Sequence, residues 1–345
     1  MKRLAVYVLS TCVLIGLLQQ REVAGQVGTV KELAPGVYFH EGDLSGKGHC
    51  NNGWVIFDDY VLVLDANFPS GAQEIIPKIR AQTTKPIRFA FDTHHHGDHA
   101  YGNQVWVDNG AVPVAHENVI TEMRKYETGF FGGAPGRWEQ EAKQREDMKS
   151  TRLKPPTLLY RDVMIFDDGT HRVELRYFGV GHTHGDGFAW LPKERILFTG
   201  DAAVNGPFNY MGDGDSGAWI ETLGNAQKLG ATVIAPGHGP AGDGGVLEAQ
   251  RLYFVALRAE VSNRKSLTPA QVQGDVSAIR DTLLKQHATY IDAKAKSIDG
   301  FSSQVQQVYK ELTGNVFPKS GALEAARQAH LYHHGRPTVV HTIVQ

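Results

Sequence analysis

The residues best suited to chemistry lie in one short segment, Thr93-His94-His95-His96-Gly97-Asp98-His99. His94, His96, Asp98 and His99 are four potential ligands within six positions. Three imidazoles and a carboxylate suit zinc or a similar borderline metal. The segment follows a predicted strand at 87–91. In extended chain His94 and His96 share one side through the period of two, and Asp98 and His99 fall on the turn into a helix near Ala100. Three further segments repeat the arrangement: Gly181-His182-Thr183-His184-Gly185-Asp186, Phe198-Thr199-Gly200-Asp201 and Pro236-Gly237-His238-Gly239. Each sets a ligand-type residue just beyond a predicted strand end, among glycines that permit tight turns. Together the four segments supply five histidines and two aspartates, enough for two metals.

The other histidines read differently. His95 alternates away from His94 and His96, which predicts packing or support of a ligand. His184 is a loop residue or a hydrogen-bond partner two positions after a ligand. His116 ends a strand and caps or packs, and His330, His333, His334 and His341 form a tail cluster. Asp65, at the end of the run Val61 to Leu64, and Asp186 are candidates for fixing ligand rings from behind. The chain holds no convincing Gly-x-Ser-x-Gly elbow, so no serine nucleophile is expected.

The set His94-x-His96-x-Asp98-His99, then His182, Asp201 and His238, resembles the metallo-β-lactamase superfamily over roughly residues 30–245. The resemblance implies an αβ/βα four-layer sandwich with the site along one edge of two packed sheets. It implies two Zn2+ per chain. His94, His96 and His182 would hold the first; Asp98, His99 and His238 the second; Asp201 would bridge them. Metals about 3.5–4 Å apart can share a hydroxide as the nucleophile, with Asp98 as the catalytic residue orienting it. Aspartate at 201 is similar to glyoxalase II and the lactonases, where well-known β-lactamases carry cysteine or serine. The lysine that often follows such a cysteine by three positions is Val204 here. The expected function is therefore an exported zinc-dependent hydrolase that opens a lactam, lactone, ester or thioester. The alternatives are a β-lactamase proper and a mononuclear iron sulfur dioxygenase on the same fold.

Several elements must position these residues. Strands are predicted at 37–39, 54–57, 60–64, 86–91 and 112–115, with helices at 70–82 and near 117–127. Residues 129–160, with Gly132-Gly133, Pro135-Gly136, a charged helical stretch 137–149 and Pro155-Pro156, read as an insertion over one face. Strands resume at 162–166, 172–178, 187–191 and 195–198; a helix at 216–230 and a strand at 232–235 follow. The organisation is thus a leader at 1–25, a catalytic domain at 26–245 and a helical C-terminal region at 246–345, with helices near 246–264, 269–295 and 301–313. Substrate contacts are expected from the segment Asp43 to Gly53, from Phe208, Asn209 and Tyr210 after Asp201, and from the insertion with Phe130, Phe131 and Trp138. Trp138 has an alternative role as the anchor of the insertion.

Composition limits the remaining classes. The chain has 345 residues, 41% hydrophobic and 21% charged, as in ordinary globular proteins. Lys+Arg 35 against Asp+Glu 37 provides no basic field, so nucleic acid is not an expected partner. Two cysteines exclude a disulfide-stapled fold, whereas 16 histidines point to metal chemistry. Lys2 and Arg3, the mostly apolar run Leu4 to Leu18 and the small residues Val23-Ala24-Gly25 read as an export signal cut before Gln26. The run is short of the about 20 apolar residues of a membrane span. The expected setting is periplasmic or secreted, with a small-molecule substrate and no stable membrane insertion after cleavage. The C-terminal helices leave a homo-oligomer open.

Overall fold

The computed structural model describes residues 26–127, 136–207, 210–292 and 299–318. The expected leader 1–25, Phe130, Phe131, Phe208, Asn209 and the four tail histidines lie outside them.

The first sheet has seven strands in sequential order: β1 (Val30–Ala34), β2 (Val37–His40), β3 (Asn52–Ile56), β4 (Val61–Leu64), β5 (Ile87–Asp92), β6 (Val112–His116) and β7 (Leu158–Tyr160). β1 to β4 form an antiparallel meander, and β4 to β7 run parallel. The second sheet has five strands: β8 (Val163–Asp167), β9 (Arg172–Tyr177), β10 (Gly187–Leu191), β11 (Ile196–Gly200) and β12 (Val233–Pro236). β8 to β11 are antiparallel, and β12 joins β11 in parallel.

The apolar pattern explains the layering. In β4, Leu62 and Leu64 enter the core between the sheets, while Val61 and Val63 enter the outer core beneath the helices. A strand buried on both faces needs this continuous apolar run. Each such side chain contributes about 1.5–3 kcal/mol on burial. The inter-sheet core joins Phe39, Val55 and Phe91 of the first sheet to Val173, Leu175 and Phe198 of the second. Outside the first sheet lie α1 (Pro69–Gln82), α2 (Gly97–Ala100) and α3 (Asn103–Asp108); α4 (Glu117–Met123) and α5 (Arg137–Ala142) follow in the chain. Outside the second lie α6 (Ser216–Gln227) and α7 (Gly245–Ser262), then α8 (Pro269–Gly274), α9 (Val276–His287) and α10 (Asp299–Thr313). Residues of α6, α7, α9 and α10 share one apolar cluster with Phe188, Leu197 and Ile234 of the second sheet. The layers run helix, sheet, sheet, helix, as expected.

Four details differ from the sequence expectation. β1 is an added edge strand, three of whose five residues are only partly exposed and two fully so, a pattern without alternation. Leu158–Tyr160, placed in the insertion, pairs with β6 as the sheet edge. The charged stretch 137–149 divides into α5 and a 3-10 turn at Glu146–Met148. The helix expected over 269–295 divides at Asp275 into α8 and α9, with α8 opened by a Thr268–Gln271 capping box. Among the described residues no helix is long and apolar enough to cross a membrane.

Candidate metal centre

The seven predicted ligands come together at one edge of the sandwich. They follow the carboxyl ends of β5, β9, β11 and β12, where the strands stop and their loops converge. His94, His182 and His238 are 1% exposed, His99 0%, Asp98 1% and Asp201 3%. Two glycines allow the approach. A Cβ on Gly237 would stand 2.1 Å from Asp201 Oδ1, and one on Gly200, at φ +50°, would stand 2.2 Å from Thr93 Oγ1.

The first group is His94, His96 and His182. His96 Nδ1 lies 3.1 Å from His94 Nε2 and 2.8 Å from His182 Nε2. The outer nitrogens settle the protons. Thr93 Oγ1 donates its only proton to Asp65 Oδ1 (2.6 Å), so it accepts from His94 Nδ1 at 3.1 Å. His182 Nδ1 donates to the carbonyl of Tyr210 at 2.8 Å. His96 Nε2 donates to Asp213 Oδ2 at 3.0 Å. Each ring thus gives its outer nitrogen to a partner and turns its other nitrogen toward one point. Burial and the neighbouring histidines hold His94 well below the usual imidazole range; the same causes take His182 down to about 3. Ligands about 2.0–2.1 Å from a tetrahedral zinc stand roughly 3.3 Å apart, close to this spacing. The donor set fits a metal cation.

The second group is Asp98, His99 and His238. His238 Nε2 is 3.1 Å from Asp98 Oδ2, and His99 Nε2 is 3.4 Å from the same oxygen. Asp201 lies between the groups. Its Oδ1 is 3.3 Å from His99 Nε2; its Oδ2 is 3.3 Å from His238 Nε2 and 3.6 Å from His182 Nε2. Burial opposes charge on His99, His238 and Asp201, but the ion pairs outweigh it. Asp201 and Asp98 raise His238 to about 9, nearby anionic groups raise His99 well above the imidazole range, and His238 and His99 hold Asp201 well below the carboxylate range.

Asp65 and Asp186 take the supporting roles expected of them. Asp65 accepts from Thr93 N and Oγ1 and reaches His99 Nδ1 at 3.0 Å. It does so from a φ of +67°, a conformation unusual for any residue but glycine. Asp186 accepts from Thr183 N and Oγ1 and so closes the loop that bears His182. His116 caps α4 and stacks on Tyr177, and His184 is an exposed loop residue. His95 is fully buried, 3.9 Å from both Glu122 and Asp213.

The substrate-side expectations need correction. Trp138 is 8% exposed and packs edge-on to Tyr101 at 4.7 Å, so its ring anchors the insertion instead of walling the cleft. Asn51 and Asn52, from the segment 43–53, are buried and tie Pro236, Gly239 and Asp65 carbonyls together. Of the expected contacts, Tyr210 stands beside the centre, its ring 5.6 Å from that of His96. Sequence reasoning missed Asp213, which takes His96 on one side and Arg137 (3.3 Å) and Lys125 (3.6 Å) on the other. Its one signal was an aspartate between glycines, Gly212-Asp213-Gly214, close after a ligand segment.

Comparison with known proteins agrees with this geometry. A metallo-beta-lactamase type 2 of Bacillus cereus is 25% identical over 242 residues, 67% of this chain and 84% of the relative. A protein of the same name from Bacillus sp. (strain 170) is 24% identical over 241 residues, 67% of this chain and 84% of the relative. Among solved structures, a metallo-beta-lactamase from Pontibacter korlensis superposes with a TM-score of 0.53 at 19% identity, covering 66% of this chain and 98% of its own. The DIM-1 metallo-beta-lactamase gives 0.51 at 20%, covering 66% and 96%. At such identities the structures speak for the fold. The sequence profile of the metallo-beta-lactamase superfamily matches residues 45–238, more than half of the protein, and the chain belongs to that superfamily.

Proposed function

We propose that this superfamily hydrolase is an exported dinuclear zinc enzyme that opens a lactam, lactone, ester or thioester in a small molecule. The observation that carries the reading is the convergence of three imidazole nitrogens beside a second buried group of two histidines and two carboxylates. When bound, two zinc ions supply a water activated at neutral pH and a Lewis acid for the scissile carbonyl. The chain's own residues do the rest. His94, His96 and His182 would hold one ion through the nitrogens they turn toward one another. Asp98, His99 and His238 would hold the other, and Asp201, lying between the two groups, would contact both. Asp98, beside His238 and His99, would orient the attacking water. Asp65 keeps the His99 ring in register. Tyr210 offers an aromatic flank and a hydroxyl to the substrate. Export is supported by the charged start and apolar run of residues 2–18.

The names of the Bacillus relatives favour β-lactams as a second reading. Val204, 1% exposed, supplies no cation for a drug carboxylate where some β-lactamases carry lysine. The test is a hydrolysis screen of residues 26–345 with zinc, against β-lactams, homoserine lactones, thioesters and aryl esters. Turnover of a lactone or thioester above any β-lactam supports the leading reading. A β-lactam far ahead of the rest supports the second, and no hydrolysis of any of them contradicts both.

A further inference from the structure

The family match ends at residue 238, and α7 to α10 lie beyond it. Their role follows from the loop 210–216 between β11 and α6. This loop touches the outer nitrogens of two of the three histidines in the first group. The Tyr210 carbonyl accepts from His182 Nδ1, and the Asp213 carboxylate accepts from His96 Nε2. Asp215 N also donates to Gly181 O at 3.2 Å, next to His182. The outer hydrogen bond of a ligand imidazole fixes its tautomer and ring angle. Within the loop Gly214 N donates to Met211 O at 3.4 Å.

Arg137 and Lys125 hold the loop at Asp213, and α7 and α10 hold its other end. Glu311 accepts from Ser216 N at 3.1 Å and from the Ser216 hydroxyl. Arg258 of α7 donates to Glu311 at 2.8 Å and to Ser216 Oγ at 2.6 Å. Gln307 reaches Gly214 O at 3.4 Å. The Ser216 residue is 1% exposed and the Glu311 side chain 9%, so these charge-assisted bonds are shielded from water.

We propose that α10 is a positioning element for the His94–His96–His182 pocket, with Glu311 as the positioning residue, acting through the loop 210–216. The proposal rests on the metal reading above. It gives the C-terminal helices a role in the chemistry that the matched region alone would lack.

The experiment titrates metal-free full chain with cobalt(II) and follows hydrogen exchange of the 211–216 amides. The variants are Glu311→Ala, Glu311→Gln and Tyr253→Phe. The last removes the Tyr253–Gln304 bond between α7 and α10 without touching the loop. Glu311→Ala is expected to weaken cobalt binding at one of two sites about tenfold, leave the other unchanged, and speed exchange in the loop. Glu311→Gln, which still accepts from Ser216 N, restores most of both. Tyr253→Phe matches wild type in both. Should Glu311→Ala not fold, Glu311→Asp withdraws the carboxylate from Ser216 while keeping its charge, and the same direction is expected. Wild-type affinity or wild-type exchange in Glu311→Ala, or in Glu311→Asp where it takes its place, overturns the proposal, as does an equal loss in Tyr253→Phe. A wild-type chain that takes up no cobalt overturns the metal reading itself, and this proposal with it.

Discussion

The two halves of the centre are built from opposite materials. The His94–His96–His182 half is three imidazoles whose outer nitrogens rest on Thr93, a loop carboxylate and a loop carbonyl. The half with Asp98, His99 and His238 is an ion-paired cluster whose backing, Asp65, sits at the end of a core strand. Two of the first half's three supports come from the loop 210–216, whereas the second half is backed by the sheet. The first should therefore respond to changes in loops and helices far from it, and the second should resist them.

The largest effect should come from the residue the halves share. In the two-metal reading, Asp201→Ala would leave each metal three other ligands but remove the group that sets their spacing. A displacement near 1 Å costs about a hundredfold, so kcat should fall about a hundredfold or more with only partial metal loss. Asp201→Cys should be milder, because a thiolate also binds zinc. Steady-state kinetics beside metal content checks both.

Asp213→Asn should divide the halves. The amide still accepts from His96 but carries no charge, so Arg137 loses its pairing with Asp213 and Lys125 keeps Glu122 alone. Metal affinity should fall about 10–100-fold in the first half alone, as cobalt titration would show. Equal loss in both halves would erase the distinction.

His95→Ala acts beside the first half without supporting a ligand directly. Removing a fully buried imidazole should lower stability by about 1–3 kcal/mol, read from urea unfolding, while kcat per bound metal stays near wild type. A dead enzyme with normal metal content would give His95 a catalytic role.

The smallest effect concerns Glu141 in the insertion. Burial pushes its carboxyl from 4.5 up to about 8. A raised folded pKa means that the folded state holds the proton more tightly. Its stabilising contribution is present below pH 4.5 and is lost as pH rises toward 8. Glu141→Gln, always neutral, should flatten the stability profile across that window and be the more stable protein at its upper end. Urea midpoints at several pH values test this, and parallel profiles would contradict it.

The clustered residues were legible because strand ends and ligand types coincide in the chain: an apolar run, a glycine, then histidine or aspartate, three times over, with Asp92-Thr93 in place of the glycine before His94. The layered fold was legible for a similar reason, as in the uninterrupted Val61-Leu62-Val63-Leu64. What escaped was set by tertiary contact. β1 is a partly exposed edge without alternation, and β7 is three residues long behind Pro155-Pro156. Asp213 acquires meaning only when folding brings cations from positions 125 and 137 to it. Trp138 reads as an exposed aromatic in a charged stretch until Tyr101 and Met148 are seen against it.

The central claim is a two-metal hydrolytic centre, and metal counting tests it most directly. Elemental analysis of chain stripped by chelator and reconstituted with zinc should find about two zinc ions per chain. Hydrolysis should vanish on stripping and return with zinc. One tightly held iron with no second site, or activity that survives complete metal removal, would contradict the account.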